Sequence, residues 1–175
     1  MDKEEFIKKM MLHKDTVFRT ALAYTRNKTD AEDISQEVFL KLYTSERTFS
    51  DREQEKAWLL RLTINKCKDL LKSYWFTRRS DETDIKTEYP VDREQSELLE
   101  KVMSLPDKYR IVLHLFYYEE YSVNEIAELT NAKVSTVLTR LQRGREKLRK
   151  KLDEKEEDIY EKGNLQLGMG QYNHE

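Results

Sequence analysis

Glu125–Leu152 reads EIAELTNAKVSTVLTRLQRGREKLRKKL. It starts acidic and apolar and ends in a run of Arg and Lys. Just upstream, Ser122 and Glu125 have the spacing of a capping box, which predicts a helix start. Ile126, Ala127 and Leu129 form its apolar side, and Ala127 is small enough to let a second helix approach closely. Asn131 tolerates the left-handed conformation that a tight helix-to-helix turn demands. A longer helix then begins, with Val134, Val137 and Leu141 predicted to face back onto the first. This is helix-turn-helix spacing.

The second helix is expected to expose Ser135, Thr136, Leu138 and Thr139 in its first turns, then Arg140, Gln142, Arg143 and Arg145. Short polar groups at a helix N-terminus suit phosphates and base edges in a major groove. Arg residues one turn later suit guanine or the phosphate backbone. The 175-residue chain holds 32 Lys+Arg against 34 Asp+Glu, a formal charge of −2. Positive charge gathers on this one helix because a polyanion docks there. A basic run at a helix C-terminus also complements the macrodipole. That accounts for Arg149–Lys151 but not for Arg140, Arg143 and Arg145 behind a turn of the right length.

With 38% charged residues, only 4 Gly and 2 Pro, helix breakers are scarce and a mostly helical protein is expected. A hydrophobic share of 38% suits small helical cores better than one large one. The single cysteine, Cys67, excludes a disulfide framework or a Cys-based metal knuckle. The N-terminus is too charged for a signal peptide and no apolar run reaches membrane-spanning length, so a cytoplasmic chain is expected. His13, His114 and His174 are isolated in sequence, Cys67 has no nearby His, and there is no glycine-rich phosphate loop. Asp30, Glu32, Asp33 and Glu37 read as a solvated acidic helix face rather than a metal site. The chain is read as no enzyme, with no cofactor and no metal.

Periodicity divides the rest. Phe6, Met10, Val17, Phe18 and Leu22 predict one or two amphipathic helices before Arg26. Thr29 and Glu32 fit a capping box for the next helix, DAEDISQEVFLKLY (Asp30–Tyr43), with Ile34, Val38, Phe39 and Leu42 inward and Asp33, Gln36 and Glu37 outward. After the loop TFSDREQE comes a helix carrying Trp58, Leu59, Leu62, Leu70 and Leu71. Ser80–Asp92 is acidic and lacks a consistent apolar face. EQSELLEKVMSL predicts a helix that ends at Pro106, and Tyr109, Val112, Leu113 and Phe116 supply the core side of the next. Residues 153–175 read as an acidic, disordered tail.

Three segments resemble bacterial RNA polymerase sigma factors of group 4, the extracytoplasmic-function (ECF) type. The D-x-x-Q-E pattern at Asp33, Gln36 and Glu37 is similar to the core-binding helix of region 2. AWLLRLTINKCKDLL, with Trp58, Leu59, Asn65 and Asp69 at the family's spacing, resembles the segment that melts the promoter and reads the −10 element. Leu105–Arg149 resembles region 4, and Ser135–Arg145 resembles the family's recognition helix. Leu138 stands where a basic residue is usual, Gly144 where Ala is usual, and Asn131 where the turn Gly is usual. Leu138 suits a thymine methyl in place of a phosphate.

The resemblance implies an all-α protein of two small helical domains: region 2 over residues 1–80, an acidic flexible linker over 81–95, and region 4 over 96–152. It implies a protein that binds core RNA polymerase and directs it to promoter DNA. Asp33, Gln36 and Glu37 would face the polymerase clamp; Phe49, Asn65, Lys66 and Lys68 would meet −10 DNA. Ser135, Thr136, Leu138, Thr139, Arg140, Gln142, Arg143 and Arg145 would meet −35 DNA. Phe49 reads equally well as a core-packed loop anchor, while Tyr74, Trp75 and Phe76 beside Arg78 suit stacking on single-stranded DNA but read rather as domain-end packing. An anti-sigma factor, membrane-associated, is the further partner implied, and no small-molecule substrate is expected. The competing function is a stand-alone helix-turn-helix regulator, which would have to dimerise to read a palindrome.

Overall fold

The structure, a computed structural model, describes residues 1–77, 98 and 100–168, with side chains over 1–73, 98 and 100–153. Its elements are α1 (Lys3–Thr25), α2 (Lys28–Thr44), α3 (Arg52–Thr77), α4 (Asp107–Tyr117), α5 (Val123–Thr130) and α6 (Val134–Gly168). The stretch expected as a linker and the side chains of Tyr74, Trp75 and Phe76 lie outside the described residues.

The pattern before Arg26 resolves into one helix. Asp2 caps α1 by accepting the Glu5 N–H at 2.8 Å, and Arg26 ends it in the left-handed region at φ 55°. The next helix starts immediately. Asn27, extended at φ −131°, accepts the Asp30 N–H at 3.0 Å and is the N-cap of α2. The expected capping box at Thr29 and Glu32 is therefore corrected: the short connection starts the helix earlier, so Thr29 already lies inside its first turn. Asp51 caps α3 through the Gln54 N–H at 2.7 Å.

Helices α1, α2 and α3 form a three-helix bundle. Val17, Ala21, Ala31, Val38, Leu42, Leu59, Leu60, Ile64 and Cys67 are almost fully buried there. Helices α4, α5 and α6 form a second, smaller bundle around Leu105, Val112, Leu115, Ile126, Val137 and Leu141. Gly144 marks the tightest helix crossing: a Cβ there would lie 3.1 Å from the Leu113 side chain and 3.3 Å from Tyr109 Cβ. Glycine in place of the family's usual Ala lets α6 sit closer to α4. Val134, expected to face α5, is 42% exposed. It is the first residue of α6, one turn short of where Val137 meets the core.

Helix α6 continues past Leu152 as far as Gly168, so helical backbone enters the segment expected to be a disordered tail. Six of residues 153–162 are Glu or Lys, both strong helix formers, and propensity carries on a helix already begun.

The two bundles pack against each other, α1 on α4 and α3 on α5, and their apolar clusters merge. Arg110 of α4 has no exposed surface. Its guanidinium donates to the Ala23 carbonyl and, at 3.4 Å, to that of Tyr24 near the C-terminal end of α1. It also donates to the Leu105 carbonyl at 2.6 Å, the Met103 carbonyl at 3.3 Å and Asp107 Oδ1 at 2.6 Å. Beside it, His114 Nε2 lies 3.1 Å from Thr20 Oγ1 and 3.7 Å from Glu119 Oε1. Glu119 is itself buried and faces Lys56 Nζ at 3.3 Å and Arg19 Nη2 at 3.9 Å. Lys56 also donates to the Glu119 carbonyl at 3.2 Å, and Lys68 of α3 to the Thr130 carbonyl at 2.9 Å.

Two stability predictions follow from this seam. Arg110→Ala strands buried carbonyls and is expected to cost roughly 2–5 kcal/mol; Arg110→Lys, lacking the planar fork, is expected to recover little of it. Chemical denaturation checks both. Burial lowers the His114 pKa to about 4, outweighing the opposing pull of Glu119, with Arg19 and Lys56 adding to the lowering. A base whose pKa falls on folding binds its proton more tightly when unfolded, so stability declines as pH drops from about 6.5 toward about 4. Denaturation midpoints measured across that window are expected to slope less in His114→Gln.

Candidate nucleic-acid interface

The helix-turn-helix rests on a fully formed local code. Ser122 Oγ accepts the Glu125 N–H at 3.3 Å, and the Glu125 carboxylate accepts the Ser122 N–H at 2.8 Å. Ser122 Oγ also donates to the Glu125 carboxylate at 2.6 Å, and that bond first, with the Ser122 N–H second, holds the Glu125 carboxyl below its ordinary pKa. Asn131 sits at φ 54°, ψ 47°, and the Ala132 N–H reaches back to the Ala127 carbonyl at 2.9 Å. That closure fixes the angle at which α6 leaves α5.

On α6, Ser135, Leu138, Thr139, Gln142, Arg143 and Arg145 are exposed; Thr136 and Arg140 are only half exposed. The expected solvent-facing row thus loses two members, because Thr136 and Arg140 lie nearer the packed side carrying Val137 and Leu141. Arg140 lines a cleft between the two bundles with Tyr24, Lys68 and Lys108. Leu138, 54% exposed, is an unpacked apolar side chain in the middle of the polar row. Arg145 is pre-positioned: its Nε donates to Tyr117 Oη at 2.8 Å, and its guanidinium lies 5.6 Å from the Phe116 ring centroid. Gln142 pairs with Glu146 at 3.1 Å. Arg143 makes no such contact among the described residues and projects freely.

On the first bundle, Asp33, Gln36 and Glu37 are all exposed. Their i, i+3 and i+4 spacing puts them on one strip of α2. Lys66 of α3 reaches Glu37 Oε2 at 2.5 Å. The pair ties a residue expected to meet −10 DNA to one expected to face polymerase. Both partners are exposed, so the contact is worth about 0–1 kcal/mol and is easily exchanged. Asn65 is exposed next to Lys66. Lys68 is not on that free surface, since it is tied to Thr130.

Phe49 is half-buried and packs on Trp58, ring centroids 5.4 Å apart. Lys9 lies 5.5 Å from the Phe49 ring centroid and Arg47 lies 6.0 Å from that of Trp58. The loop is anchored, and its two rings carry cations on their outer side. Lys9 and Arg47 were not singled out in the sequence. Lys9 belongs to α1, far from the loop in sequence, and only the fold brings it there. Cys67 has no exposed surface, and burial pushes its thiol up to about 12. His13 is buried against Glu55 at 3.0 Å. Among the described residues, no helix is long and apolar enough to cross a membrane.

Comparison with known proteins agrees with this geometry. Residues 10–77 match the Sigma-70 region 2 family and residues 95–148 the Sigma-70, region 4 family. The chain is 33% identical over 169 residues to the ECF RNA polymerase sigma factor SigW of Bacillus subtilis, an alignment covering 86% of this chain and 90% of SigW. It is 31% identical to RNA polymerase sigma factor SigV of the same organism, over 75% of this chain and 81% of SigV. The fold is similar to that of the sigma factor RpoE of Bartonella quintana, solved with the anti-sigma factor NepR. The TM-score is 0.70 at 18% identity, covering 86% of this chain and 98% of RpoE. It is also similar to CnrH, solved with the cytosolic domain of CnrY, with a TM-score of 0.61 at 22% identity over 87% and 90% of the two chains. The chain belongs to the sigma-70 family, as an ECF sigma factor that directs RNA polymerase to promoters.

Proposed function

We propose that this sigma factor engages core RNA polymerase through Asp33, Gln36 and Glu37, and promoter DNA through two separate surfaces. The −10 surface comprises Asn65, Lys66 and, once the bundles part, Lys68, with Phe49 as the aromatic of its loop. The −35 surface is the row Ser135, Leu138, Thr139, Gln142, Arg143 and Arg145, flanked by Thr136 and Arg140. The observation that carries this reading is one chain presenting an exposed carboxylate-and-amide strip on α2 and a helix-turn-helix with a free polar row on α6. A stand-alone regulator has no use for the first. Catalysis is not part of the reading. Cys67 and His13 are buried and packed against other groups, so neither can meet a substrate. A cytoplasmic location and control by an anti-sigma factor, membrane-associated, complete the proposal; RpoE was solved with the anti-sigma factor NepR and CnrH with the cytosolic domain of CnrY.

The test is in vitro transcription with core enzyme on genomic DNA. Discrete start sites that require this chain are expected, and core enzyme that initiates at the same starts without it would overturn the reading. Replacing Gln36 and Glu37 together by Lys is expected to abolish core binding in a pull-down while helicity and the melting curve stay unchanged, because both side chains are exposed. Retained affinity for core would remove the α2 assignment. On a promoter library, Arg143→Ala is expected to lose roughly 1–3 kcal/mol of discrimination at one −35 position. Arg140→Ala is expected to weaken all promoters alike and to lower the salt slope by about 1. Identical library profiles for the two variants would refute the division.

A further inference from the structure

Three cations meet in the cleft between the two bundles. Lys68 comes from α3, Lys108 from α4 and Arg140 from α6, and the cleft has a volume of about 250 Å³. Ile111 and Val112 form an apolar wall, Tyr24 lines the same space, and none of the lining residues is acidic. Arg140 has no carboxylate partner among the described residues. Lys68 meets only the neutral carbonyl of Thr130. Its pKa is lowered by burial first, and then by Lys72 and Arg140. Burial also keeps Tyr24 protonated, so it brings no negative charge. Everywhere else along the seam charge is answered: Arg110 by Asp107, Lys56 and Arg19 by Glu119. Like charges brought together against an apolar wall repel, and such a wall strengthens the field they project.

We propose that this cleft is a seat for a phosphate-bearing anion, whose negative oxygens bridge Lys68 of the first bundle to Lys108 and Arg140 of the second. The chemistry fits a phosphoryl group better than a carboxylate. The Arg fork takes two of its oxygens and the Lys ammonium groups act as point charges on others. A singly charged acid would leave the cleft cationic. The volume falls below the roughly 300–1,000 Å³ of pockets that enclose drug-sized ligands, so the seat takes one or two phosphoryl groups rather than a larger molecule. Both bundles supply the seat, which therefore exists only while they are packed together. Binding there must favour the closed arrangement by mass action. It also engages Lys68 and Arg140, so neither is free for a second anion while the seat is filled.

The experiment uses the full chain with pyrophosphate, in titration calorimetry and thermal unfolding at about 0.15 M salt, where diffuse surface attraction is screened. Saturable binding of one pyrophosphate per chain is expected, with a raised melting temperature. Arg140→Ala and Lys68→Ala, one from each bundle, are each expected to weaken binding about tenfold or more, as loss of a charge-assisted bond does. Lys68→Arg keeps the charge and is expected to retain binding, which separates loss of the anion contact from damage to the seam. Arg149→Ala, elsewhere on the same basic helix, is expected to change nothing. A short DNA duplex added to the complex distinguishes the sources of the phosphate. If it displaces pyrophosphate from the wild-type chain and itself binds Lys68→Ala more weakly, the seat takes a backbone phosphate. If it leaves pyrophosphate in place, the seat takes a free phosphoanion. Absence of saturable binding, or equal weakening by Arg149→Ala, would overturn the proposal.

Discussion

The arrangement of the two halves depends on one buried guanidinium. A helix leaves its last carbonyls without intrahelical partners, and those at a packed end must find donors elsewhere. At the end of α1 the donor is Arg110, which reaches Ala23 and Tyr24 while also closing the turn into α4 through Met103 and Leu105. A guanidinium can do both because it has five N–H groups in one plane. Its charge is answered by Asp107 one turn earlier on its own helix. The result is a polar spike in a seam that also carries the His114–Thr20, Glu119–Lys56 and Lys68–Thr130 contacts, and it sets the register of α4 against α1. The positions of His114 against Thr20 and of Glu119 against Lys56 follow from that register.

Those features that follow from local chemistry were legible in the sequence. The Ser122–Glu125 box, the Asn131 turn and the buried faces of α4 and α5 each rest on residues within a few positions of one another. Asn27 shows where local reading fails: the cap was read at Thr29, and the structure puts it two residues earlier because α2 follows α1 at once. Helix α6 shows another limit. The lack of an apolar stripe after Leu152 reads as the end of the helix, yet the helical backbone runs on to Gly168.

The candidate surfaces were half legible for the same reason. Exposure of Asp33, Gln36 and Glu37 follows from the helical period of α2, since the opposite face carries Ile34, Val38 and Leu42. No pattern within α3 announces that Lys68 will be spent on the Thr130 carbonyl, or that Lys66 will lean on Glu37. Nor does α6 alone reveal that Arg140 differs from Arg143. That distinction arises where α3 comes alongside the second bundle, a contact between residues far apart in sequence. No sequence pattern singles out Arg110, and the carbonyls at the end of α1 explain its burial.

The polar character of the seam has a geometric consequence for a promoter-directing protein. Elements named −10 and −35 lie about 25 base pairs apart, roughly 85 Å along B-DNA at 3.4 Å per step. A compact body of this length is about 40 Å across, and even the 35-residue helix α6 is only about 52 Å long. A sigma factor whose two bundles read both elements at once must therefore part them. An apolar seam would resist parting at about 25 cal/mol for each Å² exposed. The groups that line much of this seam exchange partners more cheaply. The Ala23, Tyr24, Glu119 and Thr130 carbonyls are all satisfied by water once the bundles separate, and Lys56 and Lys68 regain full hydration. Arg110 keeps its bonds to Met103, Leu105 and Asp107, all within its own bundle, so it does not become an unpaired buried charge. The same interactions that hold the closed form thus leave each half intact when open, and they free Lys68 and Arg140 when the two DNA-facing surfaces separate.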